Sequence, residues 1–232
     1  MLALAAVAQE PQAVELTSEP SHHLVFENVF LRAFDVKVAP KTSTLVHRHN
    51  HDYVYVTLGD ADITNARVGA QPAKVLLKDG DARFAAAPLV HAAVNNADTV
   101  FRNITIELLS ASTNEHNCVE GCSQPCPATE KICPTVQQLF SADQFTVTSV
   151  TLPPGATLAQ HTHYAHHLLV PVSDLHLKIK NQDQPETEFT AKTGEVAWVN
   201  PTIHTLTNIG PKPARFVTLE LRGVPQDTPL QP

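Results

Sequence analysis

Clustered lysine and arginine are missing from this chain. Its 16 basic residues are outnumbered by 23 acidic ones, giving a net charge of -7. Phosphate backbones demand concentrated positive charge, so nucleic-acid binding is excluded as a main role. Aromatic residues are sparse at 6%, which leaves no platform for stacking bases. The apolar opening run, Met1 to Ala8, is too short to span a bilayer. No Gly-x-Ser-x-Gly elbow, P-loop or dinucleotide fingerprint occurs. Long stretches with a 3.6-residue apolar period are absent too, although residues 136–140 read as one helical turn.

What is present is ordinary apolar content, 43%, and an excess of histidine, 13 residues. The apolar fraction is that of a globular protein with a proper core. Near the start, Ala6-Val7-Ala8 before Gln9 resembles the end of a secretory leader, without its basic beginning. All four cysteines, Cys118, Cys122, Cys126 and Cys133, fall in one stretch rich in Pro, Gly, Glu and Ser. In an exported protein this even, local set reads as one or two disulfides pinning a loop. A four-thiolate zinc site is the competing reading, but the Cys-x-x-Cys knuckles of common zinc folds are lacking. Together these features place the protein in the periplasm or outside the cell.

Turn residues punctuate the chain at Ala39-Pro40, Leu58-Gly59-Asp60, Asp79-Gly80-Asp81, Pro153-Pro154-Gly155, Thr193-Gly194 and Gly210-Pro211. Between them lie short runs rich in Val, Ile, Thr, Leu and Phe: 25–38, 53–58, 101–109, 146–152, 168–172, 175–179 and 216–221. Alternation such as Leu175-His-Leu-Lys-Ile-Lys180 marks half-buried strands. The fold class is therefore all-β, a sandwich or barrel.

Sliding the chain along itself by about 114 residues exposes a duplication. His47-Arg-His49 falls on His161-Thr-His163, and Val54 to Asp60 falls on Leu168 to Asp174. Pro88, His91 and Asn95 match Pro201, His204 and Asn208 after a one-residue drift, and Glu107 matches Glu220. Two copies of one module follow, of a size normal for domains. The expected divisions are an N-terminal extension over 1–19, a first module over 20–113, a Cys-rich linker over 114–135 and a second module over 136–226.

In a strand, alternate residues face one side, so His-x-His delivers two imidazoles into one space. A third histidine from a distant strand can close a facial set around a metal. On these residues each half resembles a cupin. That family carries His-x-His followed by Glu and Gly, then a second motif of Gly, Pro, His and Asn. The second half supplies Gly155, His161, His163, Gly194, Pro201, His204 and Asn208; the first supplies His47, His49, Gly59, Gly80, Pro88, His91 and Asn95. The likeness covers most of 25–110 and 140–222. It implies two tandem double-stranded β-helix (jelly-roll) barrels, a bicupin.

The departure from the pattern is as informative. The family's Glu falls at His167 in the second half and at Tyr53 in the first. The second module thus offers His161, His163, His167 and His204 as the principal metal site, and all-imidazole ligation suits Mn, Fe, Cu, Ni or Zn. The first offers His47, His49 and His91, with Tyr53 at the fourth position as ligand, lining residue or replacement; a decayed site is the rival reading. His22, His23, His116, His166 and His176 read as packed or surface residues, with His166 facing outward from its strand. Glu107 and Glu220 are candidates to hydrogen-bond a ligand histidine from behind.

By resemblance the function is that of a metalloenzyme on a small organic molecule, with dioxygenase-like, lyase or isomerase chemistry. The alternative is a bicupin that binds or stores a metal or small ligand without turnover. Whether substrate-sized space opens onto the metal separates the two. A small molecule is the expected partner, and a homodimer is left open.

Overall fold

A computed structural model of the protein describes residues 12–109, 116–117 and 132–222. Most of the Cys-rich stretch lies outside them. The first module runs through β1 (Val14–Glu15), a short 3-10 turn (Leu16–Ser18), β2 (His22–Glu27), β3 (Leu31–Val38), β4 (His47–His49) and β5 (Tyr53–Thr57). It continues with β6 (Ala61–Arg67), β7 (Ala73–Leu77), β8 (Ala82–Ala85), β9 (Leu89–Asn95) and β10 (Phe101–Leu108). Next come β11 (His116–Asn117), β12 (Thr135–Ala142), β13 (Phe145–Leu152), β14 (Thr157–His163) and β15 (His167–Pro171). The second module ends with β16 (Leu175–Asn181), β17 (Thr187–Ala191), β18 (Ala197–Val199), β19 (Thr202–Asn208) and β20 (Ala214–Leu221). Among the described residues no helix is long and apolar enough to cross a membrane.

Each module is a pair of facing sheets. The first has the orders β1-β4-β9-β6-β7 and β2-β3-β10-β5-β8; the second has β14-β19-β16-β17 and β11-β12-β13-β20-β15-β18. The segment read as an N-terminal extension contributes β1, which pairs in parallel with β4, and Leu16, which is 1% exposed.

Strands β10 and β20 show how period-two patterning builds the molecule. Asn103, Thr105 and Glu107 alternate with Ile104, Ile106 and Leu108; Phe216, Thr218 and Glu220 alternate with Val217, Leu219 and Leu221. The first member of each set faces its own barrel. The second set packs, with Leu31, Val54, Val56, Phe145, Val147, Leu168 and Val170, into one core shared by both modules. Each such side chain contributes about 1.5–3 kcal/mol on burial, so the two barrels are joined by a hydrophobic core rather than by a tether.

Polar contacts repeat across this joint. The Arg215 guanidinium reaches over Gly80 to Asp79, donating to the carboxylate at 2.5 Å and to the backbone carbonyl at 2.8 Å. The matching Arg102 lies over Gly194 while paired with Asp35. A Cβ on Gly80 or Gly194 would stand 3.0 or 2.5 Å from the respective guanidinium nitrogen, and both glycines have φ near +90°. Glycine is required there twice over.

Two expectations need correcting, and one reading gains its setting. Residues 25–38 are not one strand: Asn28 turns the chain, its side-chain oxygen accepting from the backbone N–H of Phe30 and Leu31. Residues 136–140 are strand, part of β12. A bulge between Gln138 and Phe140 sets Val136, Leu139 and Phe140 at the spacing of a helix face, which explains the misreading. His166 is 4% exposed and stacks on Trp198, 5.4 Å between ring centres, at the joint between modules. Outward from its own barrel is inward to the pair.

Candidate metal centres

Strands β14 and β19 bring the second module's histidines together, with His161 opposite His204 in register. One ring nitrogen from each of His161, His163 and His204 lies within 4.8 Å of the others. His161 donates from Nδ1 to the Ala159 carbonyl at 2.9 Å, which leaves Nε2 as the bare nitrogen. His163 is held by Glu220 through Nδ1 at 3.0 Å. The Nε2 atoms of His161 and His204 face each other at 3.0 Å. Nitrogens bound in adjacent positions about 2.1 Å from one metal would stand roughly 3 Å apart, so the separation fits a shared ion.

The first module repeats this arrangement. His47 lies opposite His91 across β4 and β9. Ring-centre separations are 5.1, 4.6 and 5.3 Å for the 47–49, 47–91 and 49–91 pairs, against 5.0, 4.6 and 5.3 Å for the second trio. His47 donates to the Leu45 carbonyl at 2.9 Å, as His161 does to Ala159. His91 Nδ1 meets the Asn65 side-chain oxygen at 2.8 Å, and His49 Nδ1 lies 3.3 Å from Glu107. The Nε2 atoms of His47 and His91 are buried with no partner. Buried polar atoms are rarely left so, and a cation between them would satisfy both.

Burial holds these imidazoles in the neutral form that metals need. It pushes His47 down to about 4 and His91 to about 2, and lowers His49 despite Glu107. In the second module burial takes His204 and His167 down to about 3, with the neighbouring imidazoles adding to it, and lowers His161. Burial alone would raise Glu107, but His49 and Arg32 outweigh it and hold the carboxylate below its usual range.

The residues at the family's Glu position behave alike. His167 stacks on His163 with ring centres 4.1 Å apart and 29° between planes. Tyr53 stacks on His49 at 4.0 Å and 18°, and burial raises its phenol well above the ordinary value. His167 lines the same pocket as the trio, but the mutually close nitrogens are those of His161, His163 and His204. Asn95 and Asn208, the motif asparagines, lock loops instead of facing the sites. Asn208 donates to the carbonyls of Leu152 and Lys212 and accepts from the Gly210 N–H.

His22 was read as packed or surface, and it stands inside the first site. Its ring centre is 4.8 Å from that of His47, and the mutually close nitrogens of the first module are those of His22, His47 and His49, with His91 beside them across the strand from His47. No spacing signal marks it, because the corresponding residue of the second copy is Val136.

Surroundings separate the two centres. The second opens into a pocket of about 490 Å³ lined by Val136, Leu158, Leu177, Phe189 and Phe216 among others, with Asn181, Gln184 and Asn200 at polar points. No charged Lys, Arg, Asp or Glu side chain is among its lining residues. The first encloses about 60 Å³.

No protein-family model and no curated protein matches the sequence. Solved structures do match in shape. AerE from Microcystis aeruginosa aligns with a TM-score of 0.58 at 13% identity, over 88% of this chain and 98% of that one. Oxalate decarboxylase of Bacillus subtilis, a protein with Mn(II) centres, aligns with a TM-score of 0.59 at 14% identity, over 94% of this chain and 78% of that one. The shared property at this identity is the fold. The chain has the bicupin fold, two jelly-roll barrels in tandem, and each barrel brings histidines together.

Proposed function

We propose that the second module is the working centre of a metal-dependent enzyme acting on a small, mostly apolar organic molecule. The observation that carries this reading is the pocket of about 490 Å³ that opens onto His161, His163 and His204. These three would hold a divalent ion such as Mn, Fe, Cu, Ni or Zn, with His167 as a fourth imidazole beside them. Such an ion supplies Lewis acidity or redox capacity toward substrate oxygens. The chain's own part is to position it and to exclude water. Glu220 orients His163, the aliphatic wall dries the site, and Asn181, Gln184 and Asn200 offer hydrogen bonds to an oxygen-bearing end.

Dioxygenase-like cleavage and lyase or isomerase chemistry on an enolisable or phenolic molecule both suit that wall. A small dianion such as oxalate suits it less, because among the described residues no arginine or lysine lines the pocket. The second reading, a metal-holding protein without turnover, draws on the small cavity and buried histidines of the first centre. Export fits the four cysteines clustered between 118 and 133.

The deciding experiment loads the chain with Co²⁺ and follows its visible spectrum while apolar enolisable ketones, phenols and oxalate are added. Perturbation by the ketones or phenols at lower concentration than by oxalate is expected. A spectrum indifferent to all three, with no turnover of any, overturns the enzyme reading in favour of holding.

A further inference from the structure

We propose that His22 is the fourth ligand of the first module's metal centre and Glu19 its positioning carboxylate, making that centre a closed holding site. On β2, His22 lies opposite Val36 of β3, and Val36 is 2% exposed inside the first barrel. In the second module Val136 lies opposite Val150 in the same way. Both β2 and β12 carry a bulge two residues further on, Leu24/Phe26 and Gln138/Phe140. The two positions are therefore equivalent, and one module puts an imidazole where the other puts a valine.

Glu19 explains how that imidazole is held. Its carboxylate is 2% exposed, a costly place for a charge without partners. It receives His22 Nδ1 at 2.6 Å, the Ser21 N–H at 2.8 Å and the Leu45 N–H at 3.0 Å. With Nδ1 engaged, Nε2 is the nitrogen left for coordination. A buried carboxylate behind a histidine, with the far nitrogen free, is the arrangement that orients metal ligands and raises their basicity. Leu45 also supplies the carbonyl that fixes His47, so one short loop sets two of the imidazoles.

The ligand inventory then closes. His47 and His91 turn buried, partnerless Nε2 atoms inward, and His49 is backed by Glu107. His22 completes four imidazoles around about 60 Å³, room for roughly two waters. Tyr53, stacked on His49, lines the same small cavity. That volume does not hold a molecule of substrate size. The inference does not depend on the second module being catalytic.

The test confines metal to the first module with His161→Ala/His204→Ala in the full chain. The protein is loaded with Cu²⁺, coordinated imidazoles are counted by pulsed electron paramagnetic resonance, and copper release to a chelator is timed. One equivalent with four imidazoles is expected. His22→Val, which installs the second module's residue, should lower the count to three and speed release by at least the roughly tenfold to hundredfold expected of Glu19→Gln, which should keep four. Circular dichroism checks that each variant folds. An unchanged count and release rate in His22→Val overturn the proposal. Should that variant not fold, three imidazoles rather than four in the His161→Ala/His204→Ala chain overturn it, as does absence of copper there. Copper bound by the mirror variant, His47→Ala/His91→Ala, reports on the second centre separately, so failure of either reading is told apart.

Discussion

The two modules share strand order, bulge position and histidine trios matched to within about a tenth of an ångström between ring centres, yet one trio is buried beside a small cavity and the other lines a much larger one. Three replacements account for the difference. His22 stands where the second module has Val136, Tyr53 where it has His167, and Arg32, opposite Glu107, where it has Thr146 opposite Glu220. Arg32 is bonded to Glu107 at 2.6 Å and the carboxylate is fully buried, while Glu220 is 28% exposed. Coordination geometry is thus a property of the barrel, and access is a property of a few wall residues.

The largest effect should come from the trios themselves. His204→Ala is expected to remove metal from the second module alone, and His91→Ala from the first alone, each halving the metal content of fully loaded protein measured by elemental analysis. Loss of all metal in either variant would mean that the modules do not bind independently. A smaller effect separates the carboxylates. Arg32→Ala strands the buried Glu107 and should cost about 3–5 kcal/mol. Glu220→Gln, at a wetter position, should cost less than about 1 kcal/mol. Chemical denaturation of metal-free protein measures both, and equal costs would erase the distinction.

The smallest difference between the modules concerns pH, where the two should behave alike. Their buried imidazoles stay neutral in the folded state, with His47 down to about 4 and His167 and His204 to about 3. The unfolded chain takes up these protons near the ordinary value of about 6.5. More protons bind the unfolded state in this window, so stability of the metal-free protein is full above pH 6.5 and falls as pH drops toward 4. Thermal melting across that range checks the slope, and a flat profile would contradict it.

How much of this was legible beforehand follows from what each signal depends on. His-x-His needs only strand parity, so His47, His49, His161 and His163 could be paired from spacing alone. Their third partners came with the matching Pro-His-Asn runs. His22 could not be found that way, because its face is set by pairing with β3 after the turn at Asn28, and its counterpart is a valine. Residues 136–140 failed for a related reason, since a bulge shifts the apolar rhythm without leaving a glycine or proline to announce it.

The joint between the barrels has a consequence for how the two sites came to differ. Strands β10 and β20 present equivalent apolar faces, and Arg102 over Gly194 mirrors Arg215 over Gly80, which is the self-complementary contact of a two-fold dimer. A dimer of separate, identical chains must change both of its sites at once. Here the same contact is made within one chain, so each half is free to drift while the other keeps its chemistry, and a bound metal can be sealed on one side without closing the other.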